Sequence, residues 1–238
     1  MQLDIIGTMR TCFPEKFGIP RQSGLVPLAR GILRFSEAQP PAVWRDAMRG
    51  LEGLSHLWVT FAFHQAITEG WKALVRPPRL GGKEKMGVWA TRSPHRPNFL
   101  GQSLLEIESI DVSEPCIRFG GVDLLDRTPV VDLRPYHPDH DLPIRGSRDG
   151  WIAQAKEPGA QVEWGNDASR QILSRRPDLP GLPVYRPEEL RELVEGLVAL
   201  DPRPGHLRGG TGDWAMRILD FDVKFRMEGG KATILAVV

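Results

Sequence analysis

One stretch of the chain, residues 87–105, limits the possible folds most, because it sets a stiff polar loop between two β-type runs. Residues 88–91 favour a strand, and residues 103–110 alternate roughly between apolar and polar side chains. Between these runs, Pro94 and Pro97 fix their own φ angles and restrict the residues that precede them. The stretch therefore predicts two strands that present a loop with little conformational entropy.

The loop carries side chains that can donate hydrogen bonds to a carboxylate, a phosphate or a base edge. They are Arg92, His95 and Arg96. Cationic side chains on a rigid loop are typical of a binding site, whereas Pro and Asn are common in any surface turn. A binding site and an ordinary surface turn both remain open at this point.

The composition is that of a soluble globular protein, long enough at 238 residues for one large or two modest domains. No window contains the roughly 18 to 20 apolar residues that a membrane span needs. Asp4 and Arg10 interrupt the apolar region that a signal peptide would require. Cys12 and Cys116 are far apart and outside any CxxC motif, so we expect reduced packing residues and a cytoplasmic protein.

Positive charge is concentrated in one segment, although the formal net charge of the chain is only +1. Between residues 72 and 96 a single acid, Glu84, accompanies the basic residues Lys72, Arg76, Arg79, Lys83, Lys85, Arg92 and Arg96. Trp71 and Trp89 are interleaved with this basic run. Basic and aromatic residues together favour a nucleic-acid surface, and a solvated charged face is the alternative.

The remaining pattern predicts a β-rich domain followed by a small α+β domain. Strands are expected at residues 3–9, 31–35, 54–63 and 115–120, on both sides of a turn at 126–129, and at 214–227 and 232–237. Helices are expected at 43–51, 168–173 and 187–198. The last of these helices is amphipathic, because its apolar residues recur at helical spacing.

Acidic and histidine clusters offer candidates for chemistry. Asp123, Asp126 and Asp132 could act as a base or host a cation, and they could equally cap turns. His137 and His140 could bind a metal ion, but no further ligand follows at a suitable spacing. The chain has neither a G-x-G-x-x-G sequence nor a complete P-loop, so nothing indicates a dinucleotide-binding fold.

Motifs spread over nearly the whole chain closely resemble the TrmO family. In the first half they are Lys16-Phe17 with Pro20-Arg21-Gln22, Arg49-Gly50-Leu51-Glu52, Ser55-His56-Leu57-Trp58, residues 76–82, residues 91–98, and Asp126 with residues 128–132 and Pro135-Tyr136. In the second half they are residues 201–204 and residues 220–223. Several ordered motifs at matching spacings are far more specific than any one of them.

The resemblance implies an S-adenosylmethionine-dependent tRNA methyltransferase that methylates the N6 nitrogen of threonylcarbamoyladenosine beside the anticodon. It also implies a mainly β fold with α+β parts. Residues 1–142 would form a single-sheeted β-barrel that binds the cofactor, 143–160 a linker, and 161–238 a small α+β domain that assists tRNA binding. A homodimer is expected, without a metal ion and without a membrane partner.

The resemblance assigns cofactor binding, by position, to Pro20, Arg21, Gln22, His64, Gln65, Arg92, Gln102, Val122, Asp123, Leu124 and Leu125. Methyl transfer from a sulfonium needs no protein nucleophile, so we expect the enzyme to act mainly by positioning and electrostatics. Our hypothesis is that the loop from Arg92 to Asn98 orients the acceptor and the anticodon-loop phosphates, and that His64 or Asp126 assists loss of the acceptor's proton. We assign tRNA contacts to Arg79, His95, Arg96, Asn98, Arg203 and Arg208.

Two positions depart from the family pattern. Arg127 stands where the family usually has Gly in an Asp-Gly-Thr-Pro turn, and Phe99-Leu100 replaces Pro-Ile. If the turn needs a positive φ, Arg127 carries a strain of about 1 kcal/mol or more.

Two other functions fit the same residues. A noncatalytic RNA-binding barrel would use the basic surface without a cofactor, and a methyltransferase of the same fold could act on a small molecule. Calorimetry with S-adenosylmethionine separates the first of these from an enzyme.

Overall fold

The computed structural model describes residues 2–80, 84–154 and 159–238, so Lys83 of the basic run and the end of the 76–82 motif lie outside the described residues. The strands are β1 Gly7–Thr11, β2 Gly31–Phe35, β3 His56–Ala62, β4 Leu74–Val75, β5 Met86–Gly87, β6 Leu100–Asp111, β7 Cys116–Gly120, β8 Thr128–Pro135, β9 Gln161–Trp164, β10 Gly212–Ile218, β11 Phe221–Glu228 and β12 Lys231–Val237. The α-helices are α1 Pro41–Ala47, α2 Pro138–Asp141, α3 Asn166–Ser174 and α4 Pro187–Ala199.

Strands of the first half close into a barrel in the order β1-β2-β7-β6-β3-β8. Every neighbouring pair in this barrel is antiparallel. Buried side chains alternate along β3, where Leu57, Val59 and Phe61 point inward, as the two-residue period of a strand requires. They pack with Leu105 of β6 and Phe119 of β7 in the barrel core. The predicted β-barrel is therefore confirmed.

The second half contains a four-stranded sheet in the order β10-β11-β12-β9, with β12 and β9 parallel. Helices α3 and α4 contact each other, and they contact β12 and β9 respectively. The amphipathic pattern at 187–198 correctly predicts α4, whose buried residues are Leu190, Leu193, Val194, Leu197 and Val198. The expected α+β character of the second half is confirmed.

Most of the loop between β1 and β2, residues 12–29 (loop 12–29), joins the two halves of the molecule. Its side chains Phe13 and Val26 belong to the hydrophobic core of the second sheet rather than to the barrel core. Val26 lies so close to Gly196 of α4 that a Cβ added there would be 3.1 Å from Val26 Cγ1. Beside this contact, Arg30 Nη2 lies 2.7 Å from Glu189 Oε1. A shared core therefore positions the barrel against the second half.

Some expected elements differ from the observed ones because of local backbone geometry. Residues 88–91 form a 3₁₀ turn, Val88–Ala90, instead of a strand, and Trp89 is 78% exposed. The strand expected at 214–227 is two strands, since the chain reverses at Leu219, which has a φ of 53°. The helix expected at 43–51 ends at Ala47, shortly before Gly50 with a φ of 87°.

The expected first strand, 3–9, starts only at Gly7, because its partner β2 ends at Phe35, which pairs with Gly7. Within the described ranges, no helix has the length and hydropathy needed to cross a membrane. In the same ranges, no group of three or more His, Cys, Asp or Glu side chains could hold a metal ion.

Candidate active site

A cleft of about 360 Å³ opens where β3 ends. Its walls come from the end of β3, the loop between β7 and β8, and part of loop 12–29. Pro94 and His95 of the loop at residues 91–98, called the proline loop below, complete them. Several residues predicted from the sequence line it together, namely His64, Gln65, His95, Asp123, Leu124 and Leu125. Residues from distant parts of the chain therefore meet in one concave site, which is typical of a ligand pocket.

Asp123 is the most unusual group in this cleft. Its Oδ1 atom is buried and has no hydrogen-bond partner among the residues that the structure describes. Burial raises the pKa of the Asp123 carboxyl above its ordinary value, while the Ser103 hydroxyl and the positive charge of Arg92 act in the opposite direction. A buried oxygen without a partner is costly, and a ligand that donates a hydrogen bond would remove that cost.

The turn after β3 holds His64 in the wall of the cleft. The backbone N–H of Phe63 donates to the carbonyl oxygen of Phe99 at 2.7 Å, and the N–H of His64 donates to that of Ala62 at 2.8 Å. Phe61 and Phe63 meet edge to face, with ring centroids 5.1 Å apart. These contacts place a half-buried imidazole in the wall of a cleft that Phe61 and Phe63 also line.

Arg92 links the proline loop to loop 12–29. Its Nη1 donates a hydrogen bond to Oε1 of Gln22. The sequence predicts Arg92 and Gln22 as site residues on separate motifs, and the fold brings their side chains into contact. Neither Arg92 nor Gln22 lines the cleft, but the positive charge of Arg92 acts on the Asp123 carboxyl inside it.

The proline loop is held by hydrogen bonds within itself, as its composition predicts. Arg96 Nη1 donates to the carbonyl oxygen of Thr91 at 2.9 Å, and Thr91 Oγ1 donates to that of Val88 at 2.8 Å. The N–H of His95 donates to Ser93 Oγ at 3.3 Å. Arg96 therefore stabilises the loop that carries Arg92 and His95.

Glu69 lies at the cleft with three cationic or titratable partners, and sequence reasoning missed it. Lys72 Nζ is 3.4 Å and His95 Nε2 is 3.7 Å from Glu69 Oε2, and Lys16 Nζ is 3.9 Å from Oε1. Lys72 above all, followed by the charges of His95 and Lys16, lowers the pKa of Glu69. The only sequence signal was the basic run around it, because these partners lie in three separate segments.

A second groove of about 400 Å³ lies between loop 12–29 and the segment after α4, and Pro20 and Arg21 line it. Arg21 Nη2 donates to the carbonyl oxygens of Asp201 at 3.3 Å and Arg203 at 3.4 Å. Lys16 and Ile19 line both the groove and the cleft, so the two spaces are neighbours. Pro20 and Arg21 themselves do not line the cleft.

Asp126 and Val122 both make contacts that support the fold. Asp126 Oδ1 accepts hydrogen bonds from Arg10 Nε and from the N–H of Thr11, both at 2.9 Å. Val122 is fully buried in the barrel core. Asp126 therefore fastens the turn before β8 to β1.

The residues assigned to tRNA contacts differ in their exposure to solvent. Arg203 is only 2% exposed and is paired with Asp201, so its assignment as a tRNA contact is corrected to a structural role. Arg208 is half-buried, and its Nη2 donates to the carbonyl oxygen of Asp201 at 3.5 Å. Asn98 is exposed, whereas the side chain of Arg79 lies outside the described part of the structure.

Gln102, assigned to the cofactor, lies on β6 and donates through Nε2 to Thr60 Oγ1 at 3.1 Å. Its side chain is exposed and does not line the cleft. The third aspartate of the sequence cluster, Asp132, is exposed and accepts from the N–H of Leu133 at 2.9 Å.

The positive φ expected at Arg127 is observed, with a value of 64°. Phe99 also has a positive φ, of 52°, a conformation that the proline usual at this position could not adopt. The backbone here therefore differs from one that a proline would hold.

Arg127→Gly is expected to stabilise the protein by about 0.5–1 kcal/mol, because strain is removed at the expense of some added freedom in the unfolded chain. Thermal unfolding measures the gain. Arg127→Ala is the matched control, since it removes the exposed side chain but keeps the Cβ atom and hence the strain. Equal stability of the glycine and alanine variants would contradict a strained turn.

Comparison with known proteins places this chain in a family. Residues 8–142 match the model of the tRNA-methyltransferase O N-terminal domain, and residues 157–238 match that of the TrmO C-terminal domain. The tRNA (adenine(37)-N6)-methyltransferase of Escherichia coli is 39% identical over 241 residues, which cover 99% of this chain and 97% of the relative.

RcsF of Pseudomonas aeruginosa, named as an S-adenosylmethionine-dependent methyltransferase, is 43% identical over 92% of this chain and 89% of its own length. The crystal structure of TrmO from Pseudomonas aeruginosa superposes with a TM-score of 0.76 at 34% identity, and covers 100% of this chain and 96% of that one. Both halves of the sequence match TrmO domains, and the fold matches a TrmO crystal structure over the whole chain. The chain therefore belongs to the TrmO family of tRNA methyltransferases.

Proposed function

We propose that this protein transfers the methyl group of S-adenosylmethionine to N6 of the adenosine at position 37 of tRNA, and that this adenosine carries a threonylcarbamoyl group. The cleft at the end of β3, where the buried carboxylate of Asp123 lies under the influence of Arg92, is the observation that supports this function best. The names of the Escherichia coli and Pseudomonas aeruginosa relatives supply the reaction and the methyl donor.

The residues of the cleft fit S-adenosylmethionine. Asp123 can accept a hydrogen bond from a hydroxyl or ammonium group through its unpartnered Oδ1, and Phe61 and Phe63 offer apolar surface to a base. Arg92, which donates a hydrogen bond to Gln22, lies outside the cleft lining and acts on Asp123 through its charge. When bound, S-adenosylmethionine supplies an electrophilic methyl group for in-line displacement. The protein contributes position and electrostatics.

We assign acceptance of the N6 proton to His64. It lines the cleft, and an imidazole is suited to proton transfer near neutral pH. Asp126 is left out of this role, because its Oδ1 already accepts hydrogen bonds from Arg10 and Thr11.

The proposed tRNA surface is the exposed part of the segment from 71 to 98. Trp71 and Trp89 are exposed there beside the basic side chains, so they can stack on bases while the charges attract phosphates. Arg208 and Asn98 remain proposed contacts. A homodimer, which the resemblance of the sequence motifs implies, also belongs to the proposal, as does a cytoplasmic location.

The function is tested by incubating the protein with S-adenosylmethionine and tRNA that carries or lacks the threonylcarbamoyl group. Nucleoside mass analysis should show one added methyl group on threonylcarbamoyladenosine and none on unmodified adenosine at position 37. Methylation of both tRNAs would contradict the proposed acceptor, and methylation of neither would contradict the function.

Arg92→Ala is expected to weaken binding of S-adenosylmethionine about tenfold and to lower kcat/KM, because the positive charge that acts on Asp123 and the hydrogen bond to Gln22 are both lost. Calorimetry measures the binding constant. Arg118→Ala, at an exposed position of β7, is the matched control and should bind normally. Unchanged cofactor affinity and methyl transfer in Arg92→Ala would remove Arg92 from the site.

A further inference from the structure

Glu69 gathers positive charge at the cleft from three segments that are separate in sequence. Lys16 comes from loop 12–29, Lys72 follows the 3₁₀ turn Ile67–Glu69, and His95 belongs to the proline loop. The N···O distances from these side chains to the Glu69 carboxylate are between 3.4 and 3.9 Å. The three side chains therefore form a binding site for a carboxylate group, and the carboxylate of Glu69 occupies this site in the structure.

These ion pairs contribute little to stability. The side chains of Lys16, Lys72 and Glu69 are 60%, 46% and 49% exposed, and exposed pairs typically contribute about 0–1 kcal/mol. An incoming carboxylate can therefore replace Glu69 at a small energetic cost. The same charges would hold the incoming group as well as they hold Glu69.

The cluster lies on the outer side of the cleft. Asp123 is buried at the inner side, whereas Lys16 is exposed and also lines the neighbouring groove toward the second half of the molecule. A cofactor held by Asp123 would leave the Glu69 cluster facing the acceptor, which enters from the solvent. A threonylcarbamoyl group carries a free carboxylate only a few covalent bonds from the N6 nitrogen.

We propose that Lys16, together with Lys72 and His95, binds the threonyl carboxylate of the acceptor, and that Glu69 takes its place in the free enzyme. This inference rests on the proposed function and identifies the feature that distinguishes the modified adenosine from an unmodified one. Lys16 is then a specificity-determining residue, and Glu69 is a built-in competitor.

The two side chains should have opposite effects when they are changed. Lys16→Gln removes an attractive charge, so the KM for the modified RNA rises about tenfold. Glu69→Gln keeps the size and hydrogen bonding but removes the competing charge, so this KM falls about two- to threefold. If Glu69 only held Lys72 and His95 in place, its replacement would raise KM instead.

The test uses a synthetic anticodon stem-loop that carries either the threonylcarbamoyl acid or the corresponding threonine carboxamide. The unaltered enzyme should methylate the acid about tenfold more efficiently than the amide, as judged by kcat/KM. In Lys16→Gln this preference should largely disappear, with unchanged affinity for S-adenosylmethionine by calorimetry. Lys231→Gln, at an exposed lysine on β12, makes the same charge change elsewhere and should keep the preference.

Equal methylation of acid and amide by the unaltered enzyme would overturn the inference while leaving the proposed function intact. Weaker S-adenosylmethionine binding in Lys16→Gln, with the acid preference retained, would also overturn it, because the binding site would then serve the carboxylate of the cofactor. A higher KM of Glu69→Gln for the modified RNA would also overturn the inference. If the enzyme methylates neither stem-loop nor modified tRNA, the proposed function fails and the inference fails with it.

Discussion

Asp123→Asn is expected to lower kcat/KM for methyl transfer about 100-fold while making the protein more resistant to heat. The loss follows because a carboxylate oxygen that is buried without a protein partner can accept a charge-assisted hydrogen bond from the ligand. The amide that replaces it accepts more weakly and brings a donor into the same space.

The gain in stability follows from the raised pKa of Asp123. Burial places the folded-state pKa above the ordinary value of 3.8, so the folded protein binds more protons than the unfolded chain in the window between the two values. The free energy of unfolding therefore decreases as the pH rises through that window. Asparagine does not ionise, so the free energy of unfolding of the Asp123→Asn variant is not lowered in this way at neutral pH.

Steady-state kinetics and thermal unfolding across a pH series measure the two effects. Activity of the unaltered enzyme should decline as falling pH protonates Asp123, at a higher pH than an exposed aspartate would require. Asp132→Asn is the matched control, because Asp132 is exposed and lies outside the cleft, and it should retain activity. Normal methyl transfer by Asp123→Asn would show that its carboxylate does not contact the cofactor.

The three aspartates illustrate what the sequence can and cannot predict. Asp123, Asp126 and Asp132 lie within one short segment, and the sequence alone offered the same choice of roles for each. Their environments depend on partners far along the chain: Asp126 is fastened to Arg10 across 116 positions, and Asp123 lies near Arg92. Local patterns do not contain such contacts. The family resemblance assigned Asp123 to the cofactor site by position, but only the fold shows that its carboxylate is buried at the cleft.

Elements with strong local signals were predicted well. The apolar stripe of α4 and the alternation along β6 need no distant partner to be recognised. Closure of the barrel was predicted from the family resemblance of the ordered motifs, not from any local pattern. Loop 12–29 shows where local patterns fail to predict packing. Its proline-rich segment is typical of a surface loop, although Phe13 and Val26 are buried in the core of the other half.

Breaking the buried ion pair between Asp201 and Arg203 is expected to destabilise the folded protein strongly. Arg203 Nε and Nη2 donate to the two carboxylate oxygens of Asp201 at 2.8 and 2.9 Å, and Nη1 donates to the carbonyl oxygen of Gly210 at 2.7 Å. Both residues are buried. Removal of one partner of a buried ion pair leaves a charge without compensation, which is far more costly than loss of an exposed pair.

Arg203→Met is expected to destabilise the protein by about 3–5 kcal/mol, which corresponds to a fall in Tm of about 10 °C. Arg226→Met is the matched control, because Arg226 makes the same two-pronged contact with Asp213, at 2.6 and 2.9 Å, on the surface. Its loss should cost at most about 1 kcal/mol. Thermal and denaturant unfolding measure both variants.

The same variant separates support of the fold from contact with tRNA. The main-chain carbonyl oxygen of Arg203 accepts a hydrogen bond from Arg21 beside the groove, while the guanidinium of Arg203 stays buried against Asp201. Below the unfolding transition, Arg203→Met should therefore bind tRNA with unchanged salt dependence, since no phosphate contact is lost. A shallower salt dependence with normal stability would instead mean that this arginine leaves its buried pair and reaches the RNA.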